Sequence, residues 1–445
     1  MPSSLTTEVR LGLAGPYVVT SSSFVLHDTL TISNPQASLV LDGVRHSIYG
    51  DARNQGSITI RSDGELSFQN DAVIEGSGTI RLETGNPLQP AAITALSSQV
   101  THASGHTVRG AGEVAASSTG FINNGVIIAD DPAHPLVLRG DFSGSGVFGA
   151  NGATLLLDAA TMTGARLNSQ NGGAVVVGEG VATLDGGRND GMIELDSAAR
   201  LLIEGVYTND GTVSVFAFDP INGDLISLRD GASVDGTGLF DFQDFLGGGG
   251  IKASGGVPAT IGSGQTIRGE FTLDGDLVID GTLDPDGLPS DIEGDVVLGP
   301  SSVTRITIDQ TSADDIDVDG TLTLGGTLVI EFADGYVPTS SRNVIFIDGE
   351  PGVELLGDFD AVEVPIEPVG WTYTVELVFG GVRVLIDPPP PCPADTNGDG
   401  LLTPADFNAW VLAFNTQAPE CDQNGDGICA PADFNAWVLN FNSGC

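Results

Sequence analysis

The chain has 445 residues, 62 of them glycine, 40% hydrophobic and 6% aromatic: material for large cores in two or three domains, not for an aromatic-rich pocket. Its 59 acidic residues against 16 basic ones leave a formal charge of −43, which argues against a nucleic-acid partner. No uninterrupted apolar run of about 18 residues is present, so no membrane span is expected. The start MPSSLTTEVR lacks the basic and apolar regions of a signal peptide.

From residue 1 to 290 the sequence alternates short β-branched apolar runs with Gly, Asn, Asp and Ser, without helical periodicity. Asn123-Asn124-Gly125, Asn189-Asp190-Gly191 and Asn209-Asp210-Gly211 each precede such a run, the last two 20 residues apart, which suits one coil of a parallel β-solenoid. SGHTVRG (104–110) returns as SGQTIRG (263–269), with a weaker relative, GSGTIRL, near Gly78. Hairpins joined by the same turns would instead make a β-sandwich or meander of parts of this region.

Catalytic patterns are scarce here. Paired carboxylates with a basic neighbour are only loose candidates, such as Asp130 and Asp131 near His134, or Asp185 and Asp190 around Arg188, and loop charge accounts for them. The histidines at 27, 46, 102, 106 and 134 lack zinc spacing. Gly247 to Gly250 has no lysine placed to make it a phosphate loop. No catalytic residue and no organic cofactor are expected.

Between 291 and 387 the strands lengthen (VTRITID, GTLTLGGTLVIEF, RNVIFID, WTYTVELVF, GVRVLID), and an antiparallel, sandwich-like cap is expected. DDIDVDGTLTLGGTLVIEF followed by GDFDAVEVP resembles the end of passenger-like regions in secreted autotransporter-type and adhesin-like bacterial proteins. Residues 388–391, four prolines, read as a polyproline linker.

Residues 392–445 carry the chemistry. DTNGDGLLTPAD (Asp395 to Asp406) and DQNGDGICAPAD (Asp422 to Asp433) are twelve-residue loops 27 residues apart with the oxygen spacing of a calcium loop. Calcium takes about six to eight oxygens. Asp395, Asn397, Asp399, the Leu401 carbonyl and Asp406 would supply them in the first loop, and Asp422, Asn424, Asp426, the Ile428 carbonyl and Asp433 in the second. Water is expected at position 9 of the second loop, where Ala430 offers no side-chain oxygen.

Each loop opens a helix, PADFNAWVLAFN and PADFNAWVLNFN, with Phe407, Trp410, Val411, Phe414 and their counterparts Phe434, Trp437, Val438, Phe441 on one face. All four cysteines lie in this module and suggest an oxidising compartment. Of three possible pairings, Cys421–Cys429 with Cys392–Cys445 is favoured, and the sequence leaves the choice open.

Position 12 is Asp rather than Glu, and no entering helix precedes either loop. With a chain ending in Gly444-Cys445, the module resembles a type I dockerin of the cysteine-containing kind. The resemblance implies two calcium ions and a cohesin-type partner on a scaffold or cell surface, recognised through Pro404, Ala405, Pro431 and Ala432. The expectation for the whole is a secreted or cell-surface, non-catalytic, adhesin-like solenoid, its signal cut or upstream. A polysaccharide-binding or polysaccharide-degrading solenoid, a lyase or glycoside hydrolase, is the alternative.

Overall fold

The computed structural model describes residues 8–444 apart from 96–97, 197, 217–225, 244–248, 334, 350–352, 366–370 and 389–391. It is mainly β, 53% strand and 7% helix, and is dominated by a β-solenoid of about 15 turns. Two compact units are present, one formed by Met1–Asp334, Ile345–Val364 and Leu377–Val382, the other by Gly335–Val344, Pro365–Glu376 and Arg383–Cys445. Among the described residues no helix is long and apolar enough to cross a membrane.

The solenoid arises because each coil offers short strands whose alternate side chains point inward, and each strand pairs in parallel with the strand one coil on, about 4.8 Å away. Ile58, Ile80, Val108, Ile127, Phe148 and Leu167 form one such column over six coils in unbroken register, each fully buried. Burying each side chain contributes about 1.5–3 kcal/mol. Coil length varies because the corners absorb the slack: Thr266 pairs with Thr282, Asn189 with Asn209 and Thr327 with Ala361.

The N-x-G turns are corners whose asparagine side chain enters the interior. Asn54, Asn123, Asn189 and Asn209 are at most 1% exposed. Oδ1 of Asn54, Asn123 and Asn189 accepts the N–H of the glycine two residues on, at 3.1, 3.1 and 3.0 Å. Nδ2 of Asn54 donates to the Thr79 carbonyl and that of Asn123 to the Val147 carbonyl, one coil further along. A buried amide left unpaired costs about 1–3 kcal/mol, so these bonds are what admit a polar side chain to the core. The glycine is required by close approach: a Cβ on Gly211 would lie 2.0 Å from the Gly191 carbonyl oxygen.

The expected antiparallel region over 291–387 is corrected for most of its length. Strands from Asp295–Leu298 to Ala361–Glu363 pair in parallel with the preceding coil, so the solenoid does not stop at residue 290. Period-two alternation reports which face is buried and carries no information on strand direction. The Gly325-Gly326 pair, which looks like a hairpin turn, is a corner between Thr321–Leu324 and Thr327–Phe332. A Cβ on either glycine would lie 2.3 Å from a carbonyl oxygen of the coil beneath, Leu298 or Ser302. An isolated antiparallel bridge, Ile308 with Ala313, interrupts this region, and the end keeps a hairpin-like spacing: Thr372–Val378 and Gly381–Asp387 are two residues apart, and Arg383 meets Glu376 at 2.7 Å. Of the polyproline linker, residues 389–391 lie outside the described residues.

Candidate metal centre

The C-terminal module holds two helices, α1 (Pro404–Thr416) and α2 (Pro431–Ser443), each started by proline where a missing N–H costs nothing. Among the described residues no helix enters either loop; the second is preceded by a single 3-10 turn, Pro419–Cys421.

The first loop is wound around its own carboxylates. Asp395 accepts the N–H of Asp399 at 3.1 Å and of Gly400 at 2.8 Å, and Asn397 Oδ1 accepts that of Asp399 at 2.9 Å. Asp399 accepts the N–H of Leu401 at 2.9 Å, and Asp406 those of Asn397 at 3.3 Å and Thr403 at 2.7 Å. The second loop repeats the set. Asp422 binds the N–H groups of Asp426 and Gly427, Asn424 that of Asp426, and Asp426 that of Ile428. Asp433 binds those of Gln423, Asn424 and Ala430. Gly400 and Gly427 hold φ of +79° and +81°, the left-handed turn that aims the loop oxygens inward.

One carboxylate oxygen each from Asp395, Asp399 and Asp406 falls within 4.8 Å of the others. Asp406 and Asp433 are fully buried. Burial would raise the Asp406 carboxyl, but the Thr403 and Asn397 amides outweigh it and hold it below the usual carboxylate range. The Ala430 amide is the main cause of the same lowering at Asp433. Both are thus held as anions. Between Cys392 and Cys445 the acidic residues are Asp395, Asp399, Asp406, Glu420, Asp422, Asp426 and Asp433, with no Lys, Arg or His to answer them. A hard divalent cation suits such an all-oxygen, uncompensated donor set.

The two halves are tied by exchanged bonds. Trp410 of α1 donates its indole N–H to the carbonyl of Cys421, just before the second loop, at 3.1 Å, and Trp437 of α2 donates to that of Ala394, just before the first, at 3.2 Å. Each helix therefore positions the other half's loop. Both Trp residues are buried, whereas Phe407 and Phe434, on the same helix faces, are 37% and 41% exposed and bridge α1 and α2 at a ring separation of 6.0 Å. Pro404, Ala405, Pro431 and Ala432 are exposed at the helix starts, and the Leu401 and Ile428 side chains are exposed beside them in sequence.

Thr403 and Asp406 make a full capping box on α1; on α2 Ala430 has no side-chain acceptor, so only the Asp433 half remains. Cys421 and Cys429 are joined, with Cα atoms 5.6 Å apart, bracketing the second loop. Cys392 is not a free thiol, while its pairing with Cys445 falls outside the described residues.

The other polar clusters are spent on the solenoid. Asp130 takes Arg109 and, at 3.7 Å, Arg81; Asp131 caps the turn at Ala133; Asp190 takes Arg166 at 2.5 Å and also Arg188. Asp185 lies on the strand that ends beside Arg188, and His134 is only half-buried. Gly247 and Gly248 lie outside the described residues, and Gly250 is pressed against the Thr272 carbonyl. Sequence spacing did not reveal that four histidines are buried in two pairs, His27 with His46 and His102 with His106, each 2.9 Å apart. The 19-residue separation of the first pair, one coil length, was the available signal. No protein-family model matches the chain, and no curated protein matches it.

Proposed function

We propose that residues 392–445 form a dockerin-type module that binds two calcium ions and, once loaded, docks on a cohesin-type partner. It would thereby hold a non-catalytic, adhesin-like or structural solenoid at an extracellular scaffold or cell surface. The observation that carries this reading is the pair of buried carboxylates, Asp406 and Asp433, in a module without one basic side chain. Leaving such charges unpaired is strongly destabilising, and the module has no cation of its own to supply. In each loop the side chains at positions 1, 3, 5 and 12, with the Leu401 or Ile428 carbonyl, complete the oxygen set. Pro404, Ala405, Pro431 and Ala432 are the recognition positions, and the 27-residue duplication offers them twice. The Cys421–Cys429 bridge fits an oxidising compartment.

Calorimetric titration of calcium into the chelator-stripped full chain is expected to show two ions per chain, and the loaded chain to be retained by an immobilised cohesin and released by chelator. Absence of calcium binding would sink the reading; calcium binding without retention would remove only the partner.

One observation favours a polysaccharide-binding solenoid as a second reading. A cavity of about 270 Å³ on the solenoid is lined by Asp241, Phe242, Gln243, Arg268, Gly269, Asp286 and Leu288. Its Asp241 carboxylate is already taken by Arg268 at 2.9 Å and Gln243 at 2.7 Å, which suits binding rather than catalysis. Unchanged mobility of the chain in gels containing soluble polysaccharides would count against it.

A further inference from the structure

The echo of SGHTVRG in SGQTIRG marks one three-coil arrangement built twice along the solenoid. In the first, Asn54-Gln55-Gly56 is followed a coil later by Gly76-Ser77-Gly78 and then by His106; in the second, Asn209-Asp210-Gly211 is followed by Gly236-Thr237-Gly238 and then by Gln265. The middle glycines press on the asparagines alike: a Cβ on Gly76 would lie 2.0 Å from the Asn54 oxygen, and one on Gly236 2.4 Å from that of Asn209. The third-coil residue then meets the asparagine amide. Asn54 Nδ2 lies 3.1 Å from His106 Nε2, and Asn209 Nδ2 donates to Gln265 Oε1 at 3.1 Å. All four side chains are buried.

The first arrangement is built on imidazoles and the second on amides alone. Geometry fixes the protons of the first. Gly56 N–H holds Asn54 Oδ1, so Asn54 presents its Nδ2 to His106, whose Nε2 is therefore bare and whose proton sits on Nδ1. That proton is donated to His102 Nε2 at 2.9 Å, and His102 in turn donates from Nδ1 to Asn123 Oδ1 at 2.7 Å. Both imidazoles are fully used while neutral, and a second proton on either would set donor against donor. His27 and His46 form the other pair; His46 Nε2 lies 2.7 Å from Ser21 Oγ, and His27 Nδ1 is buried without a partner.

Most carboxylates around both pairs are already engaged. On the strands around both pairs Glu65 is taken by Arg45, Glu75 by Arg53, Glu83 by Arg61 and Arg81, Asp42 by Arg61, and Asp130 by Arg109 and Arg81. Asp51 meets Arg53 at 4.0 Å, Asp28 is half-buried, and Asp71 is exposed.

We propose that the coils around His27–His46 and His102–His106 are an acid-sensitive segment that opens ahead of the amide-built coils around Asn189, Asn209 and Gln265. Burial pushes His46 and His102 down to about 4, and burial with the neighbouring His102 pushes His106 down to about 3. These folded values lie below the ordinary 6.5, so the opened coils take up protons first. Stability is whole above about pH 6.5 and falls as the pH drops towards about 4.

The test is hydrogen exchange of the full chain, read by peptide and corrected for the intrinsic pH dependence, at about pH 7 and about pH 4. Peptides in 25–54 and 100–126 are expected to lose protection at least about tenfold relative to 189–215 and 261–282, the effect of one pKa unit. Equal protection, or earlier loss in the second pair, would overturn the proposal. The double variant H102I/H106Q installs what the second arrangement has at those positions, Ile261 and Gln265, and is expected to restore acid protection to 100–126 while 25–54 stays sensitive. A double variant that folds at neutral pH and opens in acid like the parent would also overturn it; should it fail to fold, the parent's exchange pattern decides.

Discussion

In the solenoid a buried polar side chain meets a partner brought by the next coil: Asn189 donates to Asn209 Oδ1 at 2.9 Å and accepts from Gly191 at 3.0 Å. In the C-terminal module a buried carboxylate, Asp406 or Asp433, meets backbone amides and no basic side chain. Both regions are repeats. The solenoid's repeats are degenerate in sequence because stacking asks only for an inward apolar residue and a satisfied corner, and many residues meet that demand. The module's repeats are near copies: each half supplies the other's support through Trp410 and Trp437, and each loop binds its own amides with the same oxygens at the same positions. The first region answers its corner asparagines from within, and the second leaves its buried carboxylates without a basic side chain.

The largest effect expected within the solenoid is Ile127→Ala, which opens a cavity in a fully buried column and should cost about 2–5 kcal/mol. Urea unfolding read on the strand signal measures it, and a calcium-dependent cost would break the comparison. Asn189→Ala removes the corner's side-chain bonds and should cost about 1–3 kcal/mol; a neutral result would mean that water or backbone serves the corner equally well. Asp433→Asn should weaken the second calcium site at least about tenfold, roughly 1.4 kcal/mol, and leave the solenoid's unfolding midpoint in place. The smallest effect sharpens the contrast between the module's halves. Thr403→Ala should cost about 1 kcal/mol of calcium-loaded stability, and Ala430→Thr, which supplies the missing cap, should add a comparable amount.

Much of this was legible in the sequence because it rests on local chemistry. The recurrence of N-D-G at 189 and 209 became a register pair, Asn189 with Asn209, since a corner that buries asparagine needs glycine two residues later. The likeness of the two loops was legible too: the residues from Asp395 and from Asp422 wind into matching turns, because turn geometry is set within the loop. Strand direction beyond residue 290 was not legible: TLTLGGTLVIEF alternates identically in a hairpin and in two successive faces of one coil, and only the contact with Leu298 and Ser302 distinguishes them. The His27–His46 pair was hidden for a similar reason, since partners one coil apart are joined by stacking rather than by a motif; His102 and His106, four residues apart, meet across a single corner.

The most direct test of the central claim is hydrogen exchange of the full chain with and without calcium. Protection gained on adding calcium is expected to fall within residues 392–444, concentrated on both loops and on α1 and α2, with residues 8–363 unchanged. Exchange in the module that ignores calcium, or a calcium response spread along the solenoid, would contradict the account.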